Sequence, residues 1–153
     1  MRPRRRFGRT RSGGAAVELA VVFPVLLLLI IGVVDYGRVF YTSVAVSNAA
    51  RAGAEWGAQS STTSGGPTNV TDTAGMKAFA QADGNEAGTL TVTPLVYCEC
   101  GGAAHSCTNA CGGGAAPDVF VKITASKSVS MFLPYPGLPS SILVSRTAIF
   151  RSQ

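Results

Sequence analysis

Ala15-Ala-Val-Glu-Leu-Ala-Val-Val-Phe-Pro-Val-Leu-Leu-Leu-Leu-Ile-Ile-Gly-Val-Val34 is the stretch on which the reading of this chain turns. Its twenty residues, at a helical rise of ~1.5 Å each, span roughly 30 Å, the thickness of a bilayer's hydrocarbon core. A cleavable secretory signal has a shorter apolar region, about 7–15 residues, with a small-residue cut site close behind it. Here Asp35-Tyr36-Gly37-Arg38-Val39-Phe40-Tyr41 follows instead, a mixture of polar and aromatic residues suited to the water interface. Ser43-Val44-Ala45 has the composition of a cut site but ends 11 residues beyond the run. The run therefore predicts a retained anchor, with release after Ala45 as the competing outcome.

Working outward from the run, charge supplies the topology. Arg2, Arg4, Arg5, Arg6, Arg9 and Arg11 account for six of the 13 basic residues, leaving seven against eight acidic ones in the rest of the chain. A basic tail on a near-neutral body, followed at once by an apolar run, is a topology signal and not a nucleic-acid face. The positive-inside rule keeps that tail in the cytoplasm and places everything after Val34 outside it. Composition agrees with an anchored chain, since only 14% of residues are charged, low for a soluble globular protein.

Two residues inside the run break its apolar character. Glu18 is ionisable, and a charge costs at least ~2.5–3.5 kcal/mol at the centre of a bilayer and less near its edge. Glu18 is the fourth residue of the run, so it either reaches for headgroup water or serves a partner that needs its charge. Pro24 removes a backbone donor and predicts a kink or loosening of the helix.

Beyond the membrane, residues 35–58 contain no proline and many alanines, so the anchor helix is expected to continue outward. Residues 15–58 as one helix would be roughly 66 Å long. Val39, Val46, Gly53 and Trp56 recur near helical spacing, and Ala45, Ala49, Ala52 and Gly53 are small enough for another element to approach closely. That element is either this chain's own core or a neighbouring subunit. Gln59-Ser-Ser-Thr-Thr-Ser-Gly-Gly-Pro67 reads as a loop, and Asn69-Val70-Thr71 as a chance sequon. Asp72 or Thr73 is placed to cap a short helix reaching about Ala82, ended by Asp83-Gly84-Asn85. Three strands follow: Thr89–Tyr97, Asp118–Leu133 with a bend around Ser126–Ser128, and Ser141–Phe150. An antiparallel meander packed against the outer half of the long helix is the simplest arrangement.

All four cysteines lie in one glycine-rich connection: Cys98, Cys100, Cys107 and Cys111. Zinc held by four thiolates, with His105 nearby, is one reading. An exported domain instead favours two disulfides stapling a loop that has few apolar residues to hold it. Of the three pairings, the one containing Cys98–Cys100 is disfavoured by strain, which leaves the two cross-pairings. His105 reads as an exposed loop residue.

No catalytic constellation accompanies these features. There is one histidine, no phosphate-binding Gly-x-x-x-x-Gly-Lys and no metalloprotease motif. Gly112-Gly113-Gly114 lacks the lysine and following helix of a nucleotide loop, and the carboxylates Glu55, Asp72, Asp83, Glu86, Glu99 and Asp118 are scattered. The expectation is a non-enzyme without cofactor or metal and without a nucleic-acid partner.

Ser12-Gly13-Gly14-Ala15-Ala16-Val17-Glu18-Leu19, ahead of an apolar run, resembles the processing site of type IV prepilins. Phe23-Pro24, Asp35-Tyr36-Gly37-Arg38 and Asn48-Ala49-Ala50-Arg51-Ala52-Gly53-Ala54 extend the likeness. So do Tyr97-Cys98-x-Cys100 with Cys107 and Cys111, Phe120-Val121-Lys122-Ile123-Thr124-Ala125, and Pro134-Tyr135-Pro136-Gly137-Leu138-Pro139. Together they resemble the TadE-like family of tight-adherence (Tad, or Flp) pilus systems.

The resemblance implies a minor pseudopilin of α+β, pilin-like fold: a long N-terminal helix, membrane anchor plus periplasmic extension, packed on a small antiparallel sheet with a disulfide-rich loop. Residues 1–13 would be a basic leader, 14–35 the transmembrane half of the helix and 36–58 its extracytoplasmic half. Residues 59–153 would form the head, with the cysteine loop at 98–111. It implies cleavage by a prepilin peptidase between Gly13 and Gly14, which puts Glu18 at position five of the mature chain. That carboxylate would meet the new N-terminal amine of a neighbouring subunit, a sensible pairing because a buried charge is tolerated mainly when paired. The doubled glycine departs from a simple site, and a cut after Gly14 would put Glu18 at position four. Implied partners are the inner membrane, the peptidase, other pilin and pseudopilin subunits and the assembly platform. Implied roles are adhesion or biofilm formation through pilus assembly. The alternative is a permanently anchored, unprocessed single-span envelope protein whose exported head binds a partner or ligand.

Overall fold

The computed structural model describes residues 13–59, 72–133, 137 and 139–152. The leader through Ser12, most of the predicted loop from Gln59 to Pro67, the sequon and most of the Pro134–Pro139 motif lie outside them. A single helix, α1 (Gly13–Ala58), is followed by α2 (Thr73–Asp83), a 3-10 turn at Asn85–Ala87, and strands β1 (Thr91–Cys100), β2 (Ala103–His105), β3 (Asp118–Ser130) and β4 (Ser141–Arg151). The four strands form one antiparallel sheet in the order β2-β1-β3-β4. The architecture is a long N-terminal apolar helix packed on a four-stranded antiparallel sheet, a pilin-like α+β arrangement.

The 46 residues of α1 are one element in secondary structure and two in packing. Its first half is apolar around the whole circumference and the most apolar window is entirely unburied, which is how a helix looks when lipid is its solvent. Its second half buries a stripe: Thr42, Ala45, Val46, Ala49, Ala50, Gly53, Ala54 and Gly57. Successive members are alternately three residues and one residue apart, which pairs each with neighbours at i+3 and i+4, so the stripe is one face of a helix.

Small side chains on that stripe set how closely α2 and the sheet approach. A Cβ at Gly53 would lie 2.9 Å from both the Ala80 Cβ and the Met76 carbonyl oxygen. One at Gly57 would lie 2.8 Å from the Met76 side chain and 2.9 Å from Val121. Ala45, Ala49 and Gly53 therefore serve this chain's own core, while Ala52 is only half-buried. Met76 and Ala80 of α2 fill the space above the stripe, and Val121, Ile123 and Ala125 of β3 close it from the sheet side. Val39 and Trp56 pack at its margin, Trp56 stacked on Phe79 at 5.0 Å between ring centroids.

α2 begins where capping chemistry predicts. The Asp72 carboxylate accepts the Gly75 N–H at 2.9 Å, satisfying one of the first-turn donors that have no helical partner.

The strands depart from the sequence reading: β1 runs Thr91–Cys100 where Thr89–Tyr97 is expected, β3 ends at Ser130 and not Leu133, and two internal features also differ. β3 runs through Ser126–Ser128 without a bend, because the ladder with β4 continues there through Ser126–Ser145, Lys127–Val144 and Ser128–Leu143. The Lys127 amine also donates to the Ala87 carbonyl, tying this polar segment to the turn after α2. β2 falls in the glycine-rich connection, where the sequence predicts no strand. Gly101 and Gly102 both have positive φ, 61° and 83°, the backbone of a two-residue hairpin turn that only glycine adopts freely. The turn folds Ala103–His105 back along Cys98–Cys100.

Pro94 is compatible with its strand because β2 reaches only Cys98–Cys100. At Pro94, β1 has β3 on one side and, among the described residues, no strand on the other, an edge position at which proline is tolerated.

Candidate functional site

Three places carry chemistry, and the fold keeps them apart. The first is the start of α1. Gly13 and Gly14 open the helix, both exposed and with open space around them. Glu18 lies four residues beyond Gly14, about 6 Å along the axis and on roughly the same face. It is exposed and makes no ion pair or side-chain hydrogen bond among the described residues. Pro24 stands inside α1, which continues as α-helix on both sides. Lacking an N–H, it leaves the Ala20 carbonyl without its usual helical donor.

The second place is the junction between anchor and head, around Asp35 and Arg38. Asp35 is 4% exposed, and both its oxygens accept the Phe132 backbone N–H, at 3.1 and 3.3 Å. Arg38, one turn further along, lies 3.9 Å from the same carboxylate. It donates to the Ser130 carbonyl at 3.2 Å and sits 4.4 Å over the Phe132 ring. A carboxylate taken out of water needs such donors, and here they come from Phe132, just past the end of β3, and from Arg38 on α1. In the sequence, Asp35 and Arg38 read as water-interface residues. Their joint role as the clasp that pins the β3–β4 connection to α1 had no sequence signal, because Phe132 is 97 residues from Asp35.

A second tie lies one turn outward. The Tyr41 hydroxyl donates to Glu86 Oε2 at 2.6 Å, and Arg146 donates to the Ser43 hydroxyl at 2.7 Å. Accepting that hydrogen bond, the Glu86 carboxylate raises the Tyr41 phenol above its usual value, with loss of water and the negative charge of Glu86 acting in the same direction.

The third place is the cysteine loop. Cys98 pairs with Cys107 and Cys100 with Cys111, one of the two cross-pairings left open by the sequence. Cys98 is buried and ties the loop to the core. Residues 101–110 are exposed, so the loop is held by its two cross-links, the β2 hairpin and a few local hydrogen bonds. His105 is exposed, but in β2 and not in irregular loop, with its Nε2 3.3 Å from the Ala110 carbonyl. With all four sulfurs in disulfides, no thiolate remains for zinc. Among the described residues no group of three or more His, Cys, Asp or Glu side chains is placed to hold a metal.

The cysteine loop joins the start of β3, through Cys98 opposite Val119, whereas the clasp follows its end at Ser130. The 13 residues of β3 put these two places roughly 40 Å apart. Nothing brings Glu18, the clasp and the disulfides together as one site.

One apolar helix of membrane-spanning length, continuing into a small α+β head, defines a pilin-like class of protein. Within that class, residues 13–55 match the family model described as TadE-like protein, so this segment of the chain is similar to that family. The family implies a pseudopilin role associated with Tad/Flp pilus systems, a structural class of protein. No curated protein and no solved structure matches the chain.

Proposed function

We propose that this chain is a minor pseudopilin, cut by a prepilin peptidase between Gly13 and Gly14 and used in assembling a tight-adherence (Flp-type) pilus. The observation that carries the reading is Glu18: an exposed carboxylate in an apolar, unburied helix, without a partner among the described residues. A charge in that setting calls for a partner from outside the described chain. Cutting at Gly13–Gly14 creates one of the right sign on every copy, a free amine at the helix start. Pairing the Glu18 carboxylate of one subunit with the Gly14 amine of its neighbour would set the axial step between subunits. Pro24, by freeing the Ala20 carbonyl, gives the helix a point at which to bend as it leaves the bilayer for an assembly.

In this reading the basic leader stays cytoplasmic, residues 14–35 span the inner membrane, and residues 36–58 carry the head on the far side. The exported location accords with the two disulfides, which form and persist in oxidising compartments. Partners are then the peptidase, other pilin and pseudopilin subunits and the inner-membrane platform, and the role in adhesion follows from the pilus.

Glu18→Leu tests the proposal in cells that carry the pilus system. The variant should reach the membrane normally, because the substitution only makes the span more apolar, yet pilus number and cross-linking to neighbouring subunits should fall at least ~10-fold, the loss expected for one charge-assisted pair. Unchanged pili and cross-links would remove Glu18 from assembly. An unprocessed chain that still binds a partner through its head would favour the permanently anchored alternative.

A further inference from the structure

Phe132 and Leu133, just past the end of β3, do not stop at the membrane-distal half of α1. They form an apolar groove with Ile30, Ile31 and Val34, the last turn of the apolar run. Val34 ends that run and Ile30 lies four residues earlier, so the groove extends about 6 Å below the end of the span. Phe132 is 63% exposed, a large aromatic side chain left mostly uncovered. Its backbone is fixed at this level by the Asp35 carboxylate, and its ring lies beneath the Arg38 guanidinium at 4.4 Å.

We propose that Phe132 and Leu133 are a second membrane contact of the head, seated in the headgroup–acyl boundary of the leaflet on the head's side. This rests on the reading of residues 15–34 as a membrane span. The occupant is lipid because the groove is continuous with the apolar, unburied helix surface that lipid already covers in that reading. Its depth of about 6 Å falls within the 5–10 Å at which interfacial apolar groups sit. An aromatic ring with a cation directly above it matches the chemistry of that layer, ring among the upper acyl chains and guanidinium among the phosphates. The Arg38 side chain is 42% exposed and has donors left over for a phosphate. The consequence is orientational. With two contacts the head cannot swing freely about the helix exit, and it stands at a fixed height and rotation on the membrane.

Tryptophan depth measurement tests this on the full chain, reconstituted in vesicles of phosphatidylcholine and phosphatidylglycerol brominated near the top of the acyl chain. Phe132→Trp and Leu133→Trp are compared with Val34→Trp at the same level, Leu26→Trp inside the span and Leu143→Trp on the exposed head. Native Trp56 is subtracted from the unsubstituted chain. Bromolipid quenching at 132 or 133 should be within about twofold of that at 34, with matching protection from acrylamide. If 132 and 133 behave like 143, open to acrylamide, while 26 is quenched by bromolipid, the second contact is wrong and the anchor stands. If they are shielded from both quenchers, protein covers the groove and the proposal falls. If 26 itself escapes bromolipid, the span reading fails and takes this proposal with it.

Discussion

The two halves of α1 are built from similar residues and end in opposite circumstances. Val33 is 72% exposed and Val46 is fully buried, although both are valines on the same continuous helix. In the first half, bulky Leu, Ile and Val point in every direction and, among the described residues, nothing buries the most apolar window. In the second half, bulk is replaced on one face by Ala and Gly, and α2 and the sheet come close enough to bury that face. The lesson is that hydrophobicity alone does not assign a helix to a core. Here side-chain size along the stripe selects protein as the neighbour, and the bulkier first half stays unburied as a candidate membrane span.

The comparison breaks most sharply if bulk is added to the stripe. Gly53→Leu should destabilise the head by about 3 kcal/mol, because its Cβ alone would meet Ala80 and the Met76 backbone at 2.9 Å. Chemical denaturation of the full chain in nanodiscs, followed by the circular dichroism of the sheet, measures the loss. Val33→Leu should leave that transition where it is. The reverse experiment places a charge in the first half. Leu26→Arg should disfavour insertion by about 2.5–3.5 kcal/mol, read as the fraction of chain in the membrane pellet. The fraction that still inserts should keep both disulfides.

Asp35 marks where one half gives way to the other. Asp35→Ala should cost about 1–3 kcal/mol, since the Phe132 N–H and the Arg38 guanidinium lose their shared acceptor. Faster hydrogen exchange at the Phe132 amide, with the Val121 and Ile123 amides unchanged, would locate the damage at the clasp.

Tyr41 supplies the smallest effect. Its phenol titrates higher in the folded chain than in the unfolded one, so its contact with Glu86 is fully present below the ordinary tyrosine value and is lost as pH rises through the folded value. Both groups are on the surface, so melting of Tyr41→Phe should differ from that of the parent only slightly near neutral pH. The gap should close in strongly alkaline solution.

Much of this fold was legible because its signals are local. The apolar run, the alternation in β1, β3 and β4, and the Asp72 cap all lie within a few residues of what they specify. The continuous β3 was not legible, since Ser126-Lys127-Ser128 reads as a bend until β4 supplies partners from 15 to 19 residues away in the ladder. β2 carried a readable signal in Gly101-Gly102, a two-residue hairpin turn, but its three exposed residues offer no apolar alternation. The choice between the two cross-pairings depended on that same hairpin, which sets Cys98 and Cys100 beside the returning chain. At the candidate site, the residues of the clasp were visible one by one, and only the fold joins Asp35 and Arg38 to Ser130 and Phe132.

The central claim is that the first half of α1 works as a processed, pilin-type helix whose free amine and carboxylate serve assembly. The mature N-terminus tests it most directly, by intact mass and terminal-peptide analysis of protein from native membranes. The account predicts a chain beginning at Gly14, with the basic leader gone and Glu18 at position five. A chain still beginning at Met1 or Arg2 with the peptidase present would contradict it, and so would a chain beginning at Val46.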